Sequence, residues 1–248
     1  MQPKNYQDNF YEYHLKGALS SAEAVIPVVK EFINPASVID IGCGAGAWLS
    51  IWEKNGVKVI KGVDGPYVDK EQLQIKENYF QEFNLEEGYA DSRAYDLVTC
   101  FEVAEHIPAP ASEKFINSLC KLGNIILFSA ALPGQGGTMH VNEQYPEYWV
   151  NLFEKNEFLP IDCLRARIWN DKKIQWWYRQ NIMFFVKKSS IADYPALIKQ
   201  YNGAVRPLAI IHPDLYEEKN KAVAYYEELL GSPVQTIKYA LKKIFKKS

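Results

Sequence analysis

Between residue 20 and about residue 187, short runs of β-branched and aromatic residues alternate with longer stretches whose apolar residues recur at helical spacing. That alternation predicts an α/β fold, a mostly parallel sheet with helices on both faces. The apolar runs place seven strands, at 38–41, 58–63, 79–83, 96–101, 124–128, 158–168 and 180–187. Helices are expected at 21–32, 45–55, 112–121 and 146–155. The last two strands leave no room for a helix between them, so the sheet is expected to close with an antiparallel strand.

From Ser189 the pattern changes. Residues 213–230 and 234–247 read as two helices separated by Gly231-Ser232-Pro233. This divides the chain into a main domain, 1–188, with an N-terminal helical cap, and a helical extension, 189–248. The last segment, VQTIKYALKKIFKKS, has five lysines, no acid and an apolar stripe of Val234, Ile237, Leu241, Ile244 and Phe245. Such a helix can lie on an anionic membrane surface, or pack its stripe on its own domain or on a second subunit of a homodimer.

The composition, 248 residues with 48% hydrophobic and 23% charged, suits a globular domain with a sizeable core. A net charge of −2 argues against general nucleic-acid binding. Cys43, Cys100, Cys120 and Cys163 contain no C-x-x-C pair, which points to reduced thiols. No segment approaches the ~20 apolar residues of a membrane span. A cytoplasmic, soluble protein is expected.

The strand SVIDI runs directly into Gly42-Cys43-Gly44-Ala45-Gly46 and then into a helix. Glycines there allow a tight turn and close approach of a ligand, and the helix start offers free N–H groups. A nucleotide-like cofactor is expected. Gly42, Gly44 and Ala47 also satisfy the dinucleotide pattern G-x-G-x-x-G/A, so an NAD-dependent sugar-nucleotide oxidoreductase is open on the glycines alone. Asp64, ending the next strand in KGVDG, is placed to accept hydrogen bonds from ribose hydroxyls.

After the run YDLVTC comes FEVAEHIPAP. Glu102, Glu105 and His106 are offset by three and four, so a helical turn would set all three on one side at the carboxyl edge of the sheet. Two carboxylates and an imidazole suit Mg²⁺, Mn²⁺, Fe²⁺ or Zn²⁺ and leave positions open for substrate. His140, in GGTMHVNEQ, follows the next strand and can join them as a fourth ligand. The same acids also suit a solvated helix start, and His106 an ordinary half-buried histidine. Without a metal, His140 or His14 is the leading general base.

VIDIGCGAG, GVD, FNLEE and YDLVTCFEVAEHI together resemble, in order and spacing, the motifs of the seven-strand, Rossmann-like S-adenosylmethionine-dependent methyltransferases, over about residues 20–187. The resemblance implies cofactor contacts from Asp40, Gly42, Cys43, Gly44, Gly46, Asp64, Gly65, Asn84, Leu85 and Phe101. Within that set the glycines shape the methionine pocket, Asp40 organises its backbone, Asp64 holds the ribose and Asn84-Leu85 reach the adenine. The E-x-x-E-H pattern resembles the metal-dependent branch, the ubiquinone-biosynthesis O-methyltransferases and the enzymes that methylate the terminal 2′-hydroxyl of small RNAs. It implies Glu102, Glu105, His106 and His140 as ligands of Mn²⁺ or Mg²⁺, with Glu105, His106, His140 and His14 as the catalytic candidates.

EVAEHI, GQGGTMHVNEQYPEYW and WWYRQN in combination resemble bacterial methyltransferases associated with surface-polysaccharide, or capsule, biosynthesis. That resemblance extends to YEYHLKGALSSAEAV, where Tyr13, His14 and Ser21 are expected to close over the cofactor. It implies a small-molecule or glycan-linked acceptor, methylated on a hydroxyl or a phosphate-type oxygen. Asn142, Glu143, Gln144 and Tyr145 can hydrogen-bond such a ligand or cap the helix at Pro146. Trp169, Trp176, Trp177, Tyr178 and Arg179 can stack a sugar and hold an anion, or form an aromatic strand pair in the core. A non-catalytic cofactor-binding partner in a biosynthetic complex is the remaining alternative.

Overall fold

The computed structural model describes residues 4–201, 208–234 and 236–239, with side chains from His14 onward. By their internal contacts the residues form two units, Met1–Ile210 and Ile211–Ser248.

The first unit is built on seven strands: β1 (Ser37–Ile41), β2 (Val59–Asp64), β3 (Phe80–Glu82), β4 (Leu97–Phe101), β5 (Ile125–Ser129), β6 (Phe158–Ile161) and β7 (Met183–Lys187). They lie in the order β3-β2-β1-β4-β5-β7-β6. β1 through β5 pair in parallel, and β7 is antiparallel to both β5 and β6. The expected fold class is therefore present.

Alternation along the strands sorts the core into two layers. Val38, Leu97, Leu127, Phe184 and Val186 face one layer, with Ala22, Val25, Ile26 and Val29 of α1 (Lys4–Lys30) and Leu49 and Trp52 of α2 (Ala47–Lys54). Ile39, Ile41, Val98, Cys100, Ile126, Phe128 and Phe185 face the other, with Phe115 and Leu119 of α3 (Ser112–Leu122) and Trp149 and Phe153 of α4 (Pro146–Lys155). Helix α1 begins well before the expected residue 21. Its buried apolar residues Ala22, Val25, Ile26 and Val29 recur at offsets of three and four and face the sheet.

The segment between β6 and β7 corrects two expectations. The expected strand 158–168 ends at Ile161, and two short helices follow, α5 (Arg165–Ile168) and α6 (Trp176–Asn181). WWYRQN is helix, not strand, because burial of Tyr178, Arg179, Gln180 and Asn181 overrides the β preference of its aromatics. A short helix α7 (Pro195–Ile198) follows β7.

In the second unit, α8 (Pro213–Gly231) starts as expected. Pro213 occupies its first turn, and His212 Nδ1 accepts from the Asp214 amide at 3.1 Å. Most of the expected basic helix 234–247 lies outside the described residues. No helix among the described residues is long and apolar enough to cross a membrane.

Candidate functional site

β1 is flanked by β2 on one side and β4 on the other, so the chain leaves it in opposite directions. That switch point opens a crevice at the carboxyl ends of the strands, where open α/β sheets bind ligands.

The glycine loop forms its floor. Gly42, Gly44 and Gly46 have φ of 81°, 52° and 79°, all left-handed. A Cβ on Gly42 would stand 2.2 Å from Cγ2 of Val103, whereas one on Gly44 would meet nothing within 4 Å. Gly42 is therefore set by packing and Gly44 by the open space beside it. Helix α2 begins at Ala47 without a side-chain cap, leaving its first amides open.

Two clefts share Gly42 and Gly44. One, about 230 Å³, is lined by His14, Asp40, Cys43, Trp48, Phe101 and Tyr178 among others. The second, about 560 Å³, is lined by Asp64, Gly65, Asn84, Leu85, Glu102 and His106 among others. Of the ten residues from Asp40 to Phe101 expected to contact the cofactor, all line one or both except Gly46, which seats against Ile75.

Asp64 is buried at the end of β2. Its carboxylate accepts from the Gly44 amide at 2.6 Å, the Gly65 amide at 2.7 Å and the Tyr67 hydroxyl, tying the glycine loop to β2. Burial and then the Asp64 charge push the Tyr67 hydroxyl pKa up. Asp40 accepts from Thr99 Oγ1 at 2.7 Å. Burial raises its pKa to about 7, against the pull of that hydrogen bond. Burial also holds the Cys43 thiol neutral. The Asn84 side chain caps the following 3₁₀ turn, accepting from the Glu86 amide at 3.2 Å.

At the end of β4 the backbone does not turn α-helical. Glu102 takes a left-handed φ of 55°, and Ala104–His106 form a 3₁₀ turn. The two glutamates consequently part. Glu102 accepts from Gln135 Nε2 at 2.7 Å and Asn181 Nδ2 at 3.1 Å, and stands apart from the other three expected ligands. Glu105, His106 and His140 come together instead, each offering a ligand atom within 4.8 Å of the others.

Glu105 is 0% exposed, and neither carboxylate oxygen has a hydrogen-bond partner among the described residues. Burial, and then the Glu102 charge, push its pKa well above the usual carboxylate range. His140 Nε2 stands 3.9 Å from Glu105 Oε1, and its Nδ1 lies 2.8 Å from Glu143 Oε1. His106 Nδ1 lies 3.2 Å from the Met139 carbonyl, and the two imidazoles meet edge to face at 4.9 Å. Burial, then the proximity of His140, lowers the His106 pKa, so its ring is neutral at neutral pH.

Other expected contacts take structural roles. Asn142 is buried and donates to the Ile107 carbonyl and Ser112 Oγ, while Gln144 donates to Asn142. Neither caps α4, which has no side-chain cap. Tyr145 is exposed. Arg179 is buried and donates to the Trp169 carbonyl, so it offers no open anion site. Ser21 Oγ donates to the Gly17 carbonyl and accepts from the Gln175 amide, fastening α1 to the segment before α6. The Tyr13 side chain lies outside the described residues. His14, on α1, faces the first cleft with its ring 6.0 Å from Trp177.

Residues not anticipated from sequence complete the walls. Trp48 lies against Phe101 at 4.3 Å and edge-on to Tyr178 at 5.2 Å. Trp48 falls in the first turn of the helix after the glycine loop, a position that points toward the cleft. The partners of Glu102, Gln135 and Asn181, carry no local signal.

Residues 11–192 match the family described as "Methyltransferase domain". A ubiquinone biosynthesis O-methyltransferase of Methylococcus capsulatus is 31% identical over 130 residues, 46% of this chain and 53% of that protein. One from Acinetobacter baylyi is 34% identical over 101 residues, 37% of this chain and 42% of that protein. The chain thus spans about half the length of the curated relatives it matches. Among solved structures, magnesium protoporphyrin IX methyltransferase from Synechocystis PCC 6803 with bound SAM has a TM-score of 0.52 at 17% identity, over 75% of this chain and 86% of that one. A sugar N-methyltransferase from Streptoalloteichus has a TM-score of 0.57 at 12% identity, over 73% and 92% of the two chains.

Proposed function

This chain belongs to the family of S-adenosylmethionine-dependent methyltransferases, and we propose that it is a metal-assisted O-methyltransferase acting on a surface glycan or glycan precursor. In this reading Glu105, His106 and His140 hold Mn²⁺ or Mg²⁺ beside the cofactor cleft.

The cofactor suits the residues present. Gly44 leaves open space where any side chain would intrude, the first turn of α2 is uncapped, and Asp40 and Asp64 are buried carboxyls beside a ligand that carries positive charge. S-adenosylmethionine brings an already activated methyl group, so the protein's task is to hold an acceptor in line with it.

The observation that carries the metal is the Glu105 side chain, fully buried with both oxygens unpartnered. An unpaired ionised carboxylate costs several kcal/mol at such a position, and a cation offsets that cost. Two imidazoles and one carboxylate form a suitable donor set with positions left for substrate. A divalent cation there would orient a hydroxyl and ease loss of its proton, which an oxygen acceptor needs and an amine does not. The curated relatives bear O-methyltransferase names, which supports oxygen as the receiving atom. The glycan rests on the sequence resemblance through GQGGTMHVNEQYPEYW and WWYRQN.

The test is methyl transfer to a panel of sugar nucleotides, phosphorylated precursors and RNA ends, in chelator and with Mn²⁺ or Mg²⁺ restored. Transfer to a sugar acceptor that disappears in chelator is expected. Equal transfer in chelator refutes the metal, and transfer to RNA ends alone refutes the glycan.

A further inference from the structure

The loop from Gly134 to Glu143 is folded back on itself around one histidine. Glu143 Oε1 lies 2.8 Å from His140 Nδ1 and accepts from the Gly136 amide at 2.8 Å, while Oε2 accepts from the Gly134 amide at 2.7 Å. Gly134 and Gly136 have φ of 81° and 77°, backbone that glycine adopts without cost. At Gly137 a Cβ would lie 2.2 Å from His140 Nε2, so the imidazole packs directly over bare backbone. The run GQGG is thus a seat for the ring, and Glu143, three residues beyond His140, is the latch.

We propose that Glu143 is a positioning residue that fixes the tautomer and orientation of His140, keeping the proton on Nδ1 and the Nε2 lone pair facing Glu105. The chemistry is one of donors and acceptors. A carboxylate that already accepts two backbone N–H groups offers His140 only a further acceptor, so Nδ1 must carry the ring proton. In the neutral ring Nε2, 3.9 Å from Glu105 Oε1, is then free of hydrogen and can act as a ligand or proton acceptor. With the proton on the other nitrogen, His140 would present an N–H to the same place. A carboxylate behind a metal-binding histidine commonly changes metal affinity by about 10–100-fold when removed. The inference rests on the metal reading for its consequence, but the tautomer itself exists without metal.

The test is long-range ¹H–¹⁵N correlation of the histidine rings in metal-free full-length protein at about pH 8, where imidazole is neutral. Wild-type His140 is expected as the Nδ1–H tautomer; an Nε2–H tautomer overturns the proposal without need of any variant. Glu143→Ala should move His140 toward Nε2–H. Glu143→Gln keeps an acceptor oxygen for Nδ1 and Gly136, and should retain the wild-type tautomer. In parallel Mn²⁺ titrations, Glu143→Ala should bind about 10–100-fold more weakly than wild type, with Glu143→Gln nearer to wild type. An unchanged tautomer in Glu143→Ala refutes the positioning role. A shifted tautomer in a protein whose wild type binds no Mn²⁺ leaves Glu143's role standing and refutes the metal.

Discussion

The Nε2 atom of His140 stands 3.9 Å from Oε1 of Glu105, a side chain with no exposed surface and no hydrogen-bond partner for either oxygen among the described residues. They reach this proximity from opposite sides of β5, thirty-five positions apart in sequence. Two amides bind the loop to the turn below it, since Val141 and Asn142 both donate to the Glu105 carbonyl, at 3.0 and 2.9 Å. The backbone is therefore fixed while the carboxyl group is left without a partner.

Glu105→Gln tests that imbalance through stability. Burial raises the Glu105 pKa, so its favourable contribution is present below the ordinary value of 4.5 and lost as pH rises through the folded value. In chelator at alkaline pH the variant should melt at or above the wild-type temperature. With Mn²⁺ at about 100 times its dissociation constant the order should reverse, since a ligand at that excess stabilises by about 2.7 kcal/mol. Thermal melts with and without the ion give both results.

Asp40 predicts a pH dependence of cofactor binding. With its pKa near 7, it is increasingly protonated below that pH and gives less attraction to a cationic ligand. Affinity for S-adenosylmethionine should rise with pH, by at most about tenfold per unit, and level off above about 7. Asp40→Asn should flatten the profile in titration calorimetry. The same shift acts on folding: the stability it contributes is present below the ordinary value of 3.8 and lost as pH rises through about 7.

Gly42 and Gly44 should separate folding from binding. Gly42→Ala meets Val103 at 2.2 Å and a left-handed φ, and should cost about 2–4 kcal/mol in urea unfolding. Gly44→Ala meets no atom within 4 Å, so it should cost only about 1 kcal/mol while its methyl intrudes on the cleft and weakens cofactor binding. Val103→Ala in the Gly42→Ala background should restore part of the lost stability.

Away from the site, Lys61 and Asp91 form a 2.8 Å ion pair on the β2 side of the sheet. The hydrogen bond from Lys61 lowers the Asp91 pKa to about 2. The stability it contributes is present above the ordinary value of 3.8 and lost as pH falls through about 2. Lys61→Met should cost about 1 kcal/mol at pH 7 and almost nothing near pH 2, read as urea midpoints.

The sheet and the glycine loop were legible because their signals are local. SVIDI followed by glycines and a helix start is one continuous stretch, and Asp64 ends the strand that pairs beside it. The proposed metal cluster was only partly foreseeable from spacing. Glu105, His106 and His140 meet, but Glu102 does not join them, because offsets of three and four apply to an α-helix and the chain here makes a left-handed residue and a 3₁₀ turn. The helix at Trp176–Asn181 was hidden by β-forming aromatics whose burial decided the outcome. Asn181 holds Glu102 across 79 positions, and Gln135 across 33, distances at which spacing carries no information.

The most direct measurement of the central claim is Mn²⁺ binding to chelator-treated protein, followed by loss of the free-ion electron paramagnetic resonance signal. Saturable binding of a single ion is expected in the wild type. In Glu105→Gln, binding should weaken by at least about tenfold, with S-adenosylmethionine affinity nearly unchanged. No saturable binding in the wild type, or the same affinity in Glu105→Gln, would contradict the claim.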